Sequence, residues 1–365
     1  MTRVLITVPC LGLPGGVANY YRTIRPHLDA QKAYFEIGAR PGEAGPWAGL
    51  RRLLADYWRF HRELRARPVD LVHLNPSLGA RSVVRDGILL LIARAHGRRV
   101  LVFFRGWDPA CERAIRARYA RLFRFVYDRA DAVVVLAEEF ARSLRELGLR
   151  APVTLETTVV ADGVFAAAGP GSRDSDRQAG ACEILYLSRL DRDKGLIEAI
   201  EAVAAISERF PSVTLTVAGD GPERAAAEAL VRARRLGNVT FTGHLDEAAR
   251  SAAFRRADIF LFPTCFGEGM PNAILEAMAF GLPVVTRAVG GIRDFFEDGR
   301  MGFVTESRDP AVFAGYLSRL ITDPGLRAAM GRYNHDYARN RFAASVVVAR
   351  LLEIYARVGR QPAAR

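Results

Sequence analysis

The chain has 365 residues, 50% of them apolar and 25% charged, with a net charge of +12 from 52 Lys and Arg against 40 Asp and Glu. That length exceeds what one core accommodates, so two domains are expected, and four scattered cysteines (Cys10, Cys111, Cys182, Cys265) with no C-x-x-C pair argue against a disulfide framework or a structural zinc site. No export signal opens the sequence, and its most apolar stretch, Ile88 to Ala93, falls far short of the roughly 20 residues of a membrane span, so a cytoplasmic location is expected.

Short β-rich apolar runs alternate with longer amphipathic segments almost from end to end, the pattern of a doubly wound α/β chain. In the first half, strands are expected at Val4–Val8, Tyr34–Gly38, Leu71–Leu74, Val100–Phe104 and Ala132–Leu136. The run Gly12-Leu13-Pro14-Gly15-Gly16-Val17 follows the first strand and opens a helix. Its glycines allow backbone to approach a ligand closely, although a plain strand-to-helix turn accounts for them nearly as well. Two helical stretches, Trp47 to Arg65 and Glu112 to Arg129, mix arginine with large apolar residues such as Leu50, Leu54 and Trp58. Such helices can lie on an anionic membrane surface; equally, they can pack on a core and leave arginine solvated. The positive charge also suits phosphorylated substrates, whereas no nucleic-acid motif is present and no nucleic-acid partner is expected.

Ala166 to Gly180 reads AAAGPGSRDSDRQAG, with no large apolar residue, and is the expected linker. It divides a domain over 1–165 from one over 181–341. Residues 342–365 carry apolar spacing for a closing helix, for which packing back on the first domain is one arrangement. In the second half, strands are expected at Glu183–Leu187, Val213–Ala218, Val239–Thr242, Ile259–Phe262 and Val284–Thr286.

The turn Leu187-Ser188-Arg189-Leu190-Asp191-Arg192-Asp193-Lys194-Gly195 ends the first of these strands, where a parallel sheet presents residues to a ligand. In a chain that otherwise uses arginine, Lys194 is one of two lysines, the other being Lys32. A compact ammonium beside the Arg189 fork suits a diphosphate; the competing reading is a turn held by pairs to Asp191 and Asp193. A second Gly-rich turn, Gly219-Asp220-Gly221-Pro222, follows the next strand. Farther on, the segment from Gly267 to Gly281 places Glu268 in a loop and Glu276 inside a helix expected over Pro271 to Phe280. Between the two carboxylates lie the amides of a helix N-terminus, which favour an anion flanked by hydroxyls. An ordinary amphipathic helix with solvated glutamates fits the spacing too.

In order and spacing, these motifs resemble the retaining glycosyltransferases of family 4, also called group 1, most specifically from Ile184 to Val304. The resemblance implies a GT-B fold: two Rossmann-like, doubly wound domains facing a cleft. It further implies transfer of a hexose from a nucleotide diphosphate sugar, UDP- or GDP-linked, to a glycan or lipid-linked acceptor in cell-surface polysaccharide or glycolipid synthesis, with no metal and no cofactor. Arg189 and Lys194 would hold the diphosphate, Glu276 the ribose, and Glu268 the transferred sugar. The amides of Gly269, Met270, Pro271 and Asn272 would face sugar and phosphate, Gly15 and Gly16 would close on the phosphates, and His244 would border the base or else cap a helix. Where many members carry a histidine, this chain has Arg105, followed by Trp107 and Asp108. These three are candidates for binding the acceptor, Arg105 also for catalysis, while Trp107 and Asp108 could instead only shape their turn. The arginine leaves open a non-catalytic partner subunit, and the architecture leaves open a nucleotide-sugar epimerase.

Overall fold

The computed structural model describes residues 2–13, 15–28, 32–40, 46–167, 181–267 and 269–360. The chain forms two compact units. One runs up to Val159 and takes in the segment from Ala344 onward; the other spans Val160 to Ala343. The expected linker starts at Ala166, inside the helix Asp162–Ala167. Its remainder, 168–180, lies outside the described residues.

In the first unit, β1 (Val4–Val8), β2 (Lys32–Glu36), β3 (Leu71–Leu74), β4 (Arg99–Phe103), β5 (Ala132–Val135) and β6 (Val153–Leu155) form a parallel sheet in the order β2-β1-β3-β4-β5-β6. The strands VLITV, LVHL and AVVV are buried along their whole length, as expected of a sheet covered by helices on both faces. One face packs on Phe60 and Leu64 of the helix Pro46–Ala66, Leu89 and Leu90 of Ala80–Ala95, and Phe123 and Tyr127 of Ala120–Tyr127. The final helix, Ala344–Arg360, belongs to this unit. Its Arg350 donates from Nε and Nη2 to the two oxygens of buried Glu156, at 2.7 and 2.9 Å, and its Tyr355 hydroxyl lies 2.7 Å from Nδ1 of His73.

The second unit repeats the plan with β7 (Cys182–Leu187), β8 (Val213–Ala218), β9 (Val239–Gly243), β10 (Ile259–Phe262), β11 (Val284–Arg287) and β12 (Gly302–Thr305), all parallel, in the order β12-β11-β10-β7-β8-β9. From β7 the chain steps outward to β8 and β9, then returns past β7 to lay down β10. The winding order therefore reverses between β7 and β10, which makes this pair the topological switch point. That opens the crevice in which doubly wound sheets take ligands. Two strands, β6 and β12, were not expected from sequence. Both are edge strands of three and four residues.

Candidate active site

At the switch point of the second unit, the turn after β7 and the loop after β10 are bound to each other. The carbonyl of Asp193 accepts from the amides of Cys265 (2.7 Å) and Phe266 (3.0 Å) and from the Thr264 hydroxyl (3.2 Å). Gly195 follows in a left-handed conformation (φ 76°), against Pro263: a Cβ added there would lie 2.2 Å from the Pro263 carbonyl oxygen. The two segments touch backbone to backbone, which only glycine permits. This contact sets Lys194 beside the loop that leads into the helix Asn272–Ala279, with Nζ 4.3 Å from the centre of the Phe266 ring.

Arg189 projects into solvent, its side chain 73% exposed, with Nε 3.2 Å from Asp191. The pair expected of a plain turn thus forms. An exposed pair of this kind contributes only about 0–1 kcal/mol, so it leaves the guanidinium available to a stronger anion. Behind the turn, the Gly219–Gly221 segment supports Ser188 to Leu190: Leu190 N–H donates to Asp220 O (3.0 Å), and Glu223 N–H donates to Leu190 O (3.0 Å). A Cβ at Gly219 would fall 1.9 Å from Ser188 O, so these glycines serve close backbone packing.

The helix expected over Pro271 to Phe280 runs from Asn272 to Ala279, with Pro271 as its N-cap and Phe280 as its C-cap. No side chain caps it and no acidic residue occupies its first turn, which leaves the positive end of its dipole without a competing carboxylate from the helix. Ile274, Leu275 and Met278 are buried, and Glu276 stands on another side with its Oε2 3.5 Å from Nε of Arg250. Burial pushes the Glu276 carboxyl above its ordinary range, against the lowering pull of Arg250. His244 is exposed after β9 and makes no hydrogen bond among the described residues. It does not cap the next helix; Asp246 does, accepting from Ala249 N–H at 2.8 Å. Glu268 lies outside the described residues.

In the first unit, Gly15 is the N-cap of the helix Gly16–Ile24. Arg105, two residues past β4, is held between the rings of Tyr20 and Phe103, its Cζ 3.6 Å from each ring centre. Its Nε donates to Asn75 Oδ1 (3.1 Å), which also accepts from the Tyr21 hydroxyl (2.9 Å), while Nη2 has no hydrogen-bond partner among the described residues. His73, buried alongside, is pushed well below its ordinary pKa by desolvation and by Arg105, so it is neutral. Trp107 lies flat on Phe140 (4.4 Å between ring centres, 2° between planes) and donates to Glu112 (2.7 Å). Asp108 caps the helix Pro109–Ala114 through Ala110 N–H. These contacts are the turn-shaping roles that the sequence left open for Trp107 and Asp108.

The profile described as "Glycosyl transferases group 1" matches residues 172–337, and that described as "Glycosyl transferase 4-like domain" matches 15–157, one in each unit. The chain belongs to the group 1 glycosyltransferases. Among its relatives, the glycogen synthase of Mycobacterium tuberculosis is 31% identical over 239 residues, 64% of this chain and 56% of that protein. The phosphatidyl-myo-inositol mannosyltransferase of Mycobacterium leprae is 31% identical over 176 residues, 47% of this chain and 46% of that protein. The matched region thus spans about half the length of these curated relatives. Among solved structures, Anabaena HepE (Alr3699) in complex with UDP shares the fold, with a TM-score of 0.75 at 18% identity over 98% of this chain and 100% of that one.

Of the residues that the sequence proposes, the glycosyltransferase fold brings Lys194 to the loop before Asn272 and leaves Arg189 on the same turn. Three participants were not foreseen: Arg250 against Glu276, the Asp193 carbonyl, and the Tyr20–Phe103 clamp on Arg105. The first two come from segments 26 and 71 or more residues away in sequence from their partners, and no local signal marks them.

Proposed function

We propose that this chain is a retaining, metal-independent glycosyltransferase that moves a hexose from a nucleotide diphosphate sugar to a glycan or lipid-linked acceptor. The observation that carries this reading is the Asp193 carbonyl junction, which sets the Arg189–Lys194 turn against the loop leading into the uncapped helix at the switch point. When the anomeric bond breaks, negative charge grows on the departing diphosphate. Arg189 and Lys194, with the helix N-terminal amides, meet that charge in this reading, and the protein supplies the electrostatic stabilisation itself. In this reading Glu276 accepts from the ribose hydroxyls and Glu268, assigned from its sequence position, accepts from hydroxyls of the transferred sugar. The departing phosphate oxygen takes the acceptor's proton on the face it leaves, which gives retention without a protein base. A UDP-bound structural neighbour and curated relatives that include a mannosyltransferase support the donor class.

Calorimetric titration with UDP and GDP tests the donor site. Lys194→Ala should weaken binding of the preferred nucleotide by roughly 10- to 100-fold, the equivalent of one charge-assisted bond, with little change in melting temperature. Undiminished affinity refutes the role of Lys194. Transfer that survives EDTA, with the product's anomeric configuration read by NMR, checks the absence of a metal and retention. Conversion of donor with no acceptor present would point instead to an epimerase.

A further inference from the structure

Nine large hydrophobic side chains are prominently exposed among the described residues, and seven of them lie on three neighbouring helical segments of the first unit. Leu50 (50%), Leu54 (60%) and Trp58 (59%) recur every fourth residue along the helix Pro46–Ala66 and form one stripe. Val84 (63%) lies on Ala80–Ala95, and Tyr119 (53%), Leu122 (61%) and Phe125 (57%) on the segment from 109 to 127. These segments are packed side by side: Tyr57 of the first donates to Arg85 O of the second (3.5 Å), and Tyr127 of the third donates to Val83 O of the second (2.8 Å).

Between the second and third segments runs a groove of about 610 Å³ walled almost wholly by carbon, including Val83, Val84, Ile88, Leu91, Ile115 and Leu122. A π-helical turn, Ile115–Tyr119, interrupts the third segment at the groove, a feature common at functional sites.

Every carboxylate on the three segments is already held by arginine: Asp56 by Arg40 and Arg59, Glu63 by Arg67, Asp86 by Arg85, and Glu112 by Arg116. Arg81, Arg113, Arg118 and Arg121 are exposed and have no ion-pair partner among the described residues. Exposed large apolar side chains clustered on adjacent helices are unusual for a soluble monomer, and uncompensated arginines among them call for an anionic counterpart.

We propose that this three-helix face docks on a bilayer of anionic phospholipids, with the exposed side chains in the acyl boundary, the arginines on the headgroups and one lipid chain in the groove. The inference deepens the acceptor reading above, on which it rests only in taking the acceptor to be lipid-linked. A basic face with an apolar keel fits an interfacial surface, whose affinity combines buried carbon with attraction to anionic lipid.

The test is flotation of the full chain with vesicles of phosphatidylcholine alone or with about a third phosphatidylglycerol, a composition that supplies the negative surface potential. Binding is expected only to the anionic vesicles and should weaken with salt. Trp58 fluorescence should be quenched by lipids brominated on the acyl chain, and the quenching should fall in Trp58→Phe. The double variant Leu122→Glu/Phe125→Glu, at two exposed positions, should keep its circular dichroism and nucleotide affinity while losing at least about tenfold in vesicle binding. Failure of the wild type to bind, or equal binding by the double variant, overturns the inference. So does a wild-type dimer in sedimentation equilibrium that the double variant converts to monomer, because the face would then be covered by a second copy. Nucleotide titration of the same samples keeps the two readings apart: vesicle binding without nucleotide binding refutes the proposed transferase, and the converse refutes only the lipid surface.

Discussion

Replacing Gly195 with alanine should loosen the candidate site and destabilise the second unit together. The added Cβ would meet the Pro263 carbonyl oxygen at 2.2 Å, whereas such contacts essentially never fall below 3.0 Å, so the two segments must part by at least 0.8 Å. Holding a non-glycine residue at φ 76° costs about 1–2 kcal/mol. Overpacking against a backbone that cannot rotate away adds about 1–3 kcal/mol. The sum, about 2–5 kcal/mol, corresponds to a fall of roughly 5–15 °C in melting temperature for a unit of this size. Because the shift separates the Lys194 turn from the Cys265–Phe266 amides, nucleotide affinity should fall as well. Gly315→Ala is the control. It lies within the helix Pro310–Thr322 with no atom within 4 Å of the new Cβ, and alanine there should stabilise by about 0.5–1 kcal/mol. Calorimetric unfolding and nucleotide titration of both variants decide the matter. A Gly195→Ala protein with wild-type melting temperature and affinity would refute the claim that this backbone contact assembles the site.

Three further outcomes are expected. Since burial raises the Glu276 carboxyl above its ordinary value near 4.5, the folded protein holds that proton to higher pH than the unfolded chain does. Stability from this group is therefore present below the unfolded value and is lost as pH rises through the folded one. Glu276→Gln, which has no proton to lose, should gain melting temperature relative to wild type between pH 4 and 7 while binding nucleotide more weakly; a difference constant with pH would contradict this. Arg350→Ala strips the buried Glu156 of both its Arg350 contacts and should destabilise the first unit by about 3–5 kcal/mol, read by denaturant unfolding. Trp107→Ala, which removes a ring stacked on Phe140 and the donor to Glu112, should cost about 3–5 kcal/mol of stability and leave nucleotide affinity intact.

How much of this was readable beforehand differs from element to element. The central buried strands were legible because a parallel sheet covered on both faces selects near-continuous apolar runs, and VLITV and IFLF are such runs. Edge strands β6 and β12 were not, because a short, half-covered strand needs little apolar sequence. The lone lysine of the second unit pointed to the crevice from sequence, since its chemistry is local, and the glycines at 195 and 219 marked turns. Their physical reason was hidden: the atoms that forbid a side chain at these glycines, Pro263 O and Ser188 O, belong to other loops.

The sequence by itself determined the fold class and the chemistry available, because periodicity, turn residues and charge are properties of neighbours along the chain. Tertiary structure alone decided which charges remain available. It paired Glu276 with Arg250, clamped Arg105 between Tyr20 and Phe103, turned Trp107 inward onto Phe140, and left Leu54, Trp58 and Leu122 facing out. Pairing and burial depend on which segments the sheet order brings together, and a strand order such as β10-β7-β8 unites residues that lie up to 75 positions apart, as with Glu183 and Asp258.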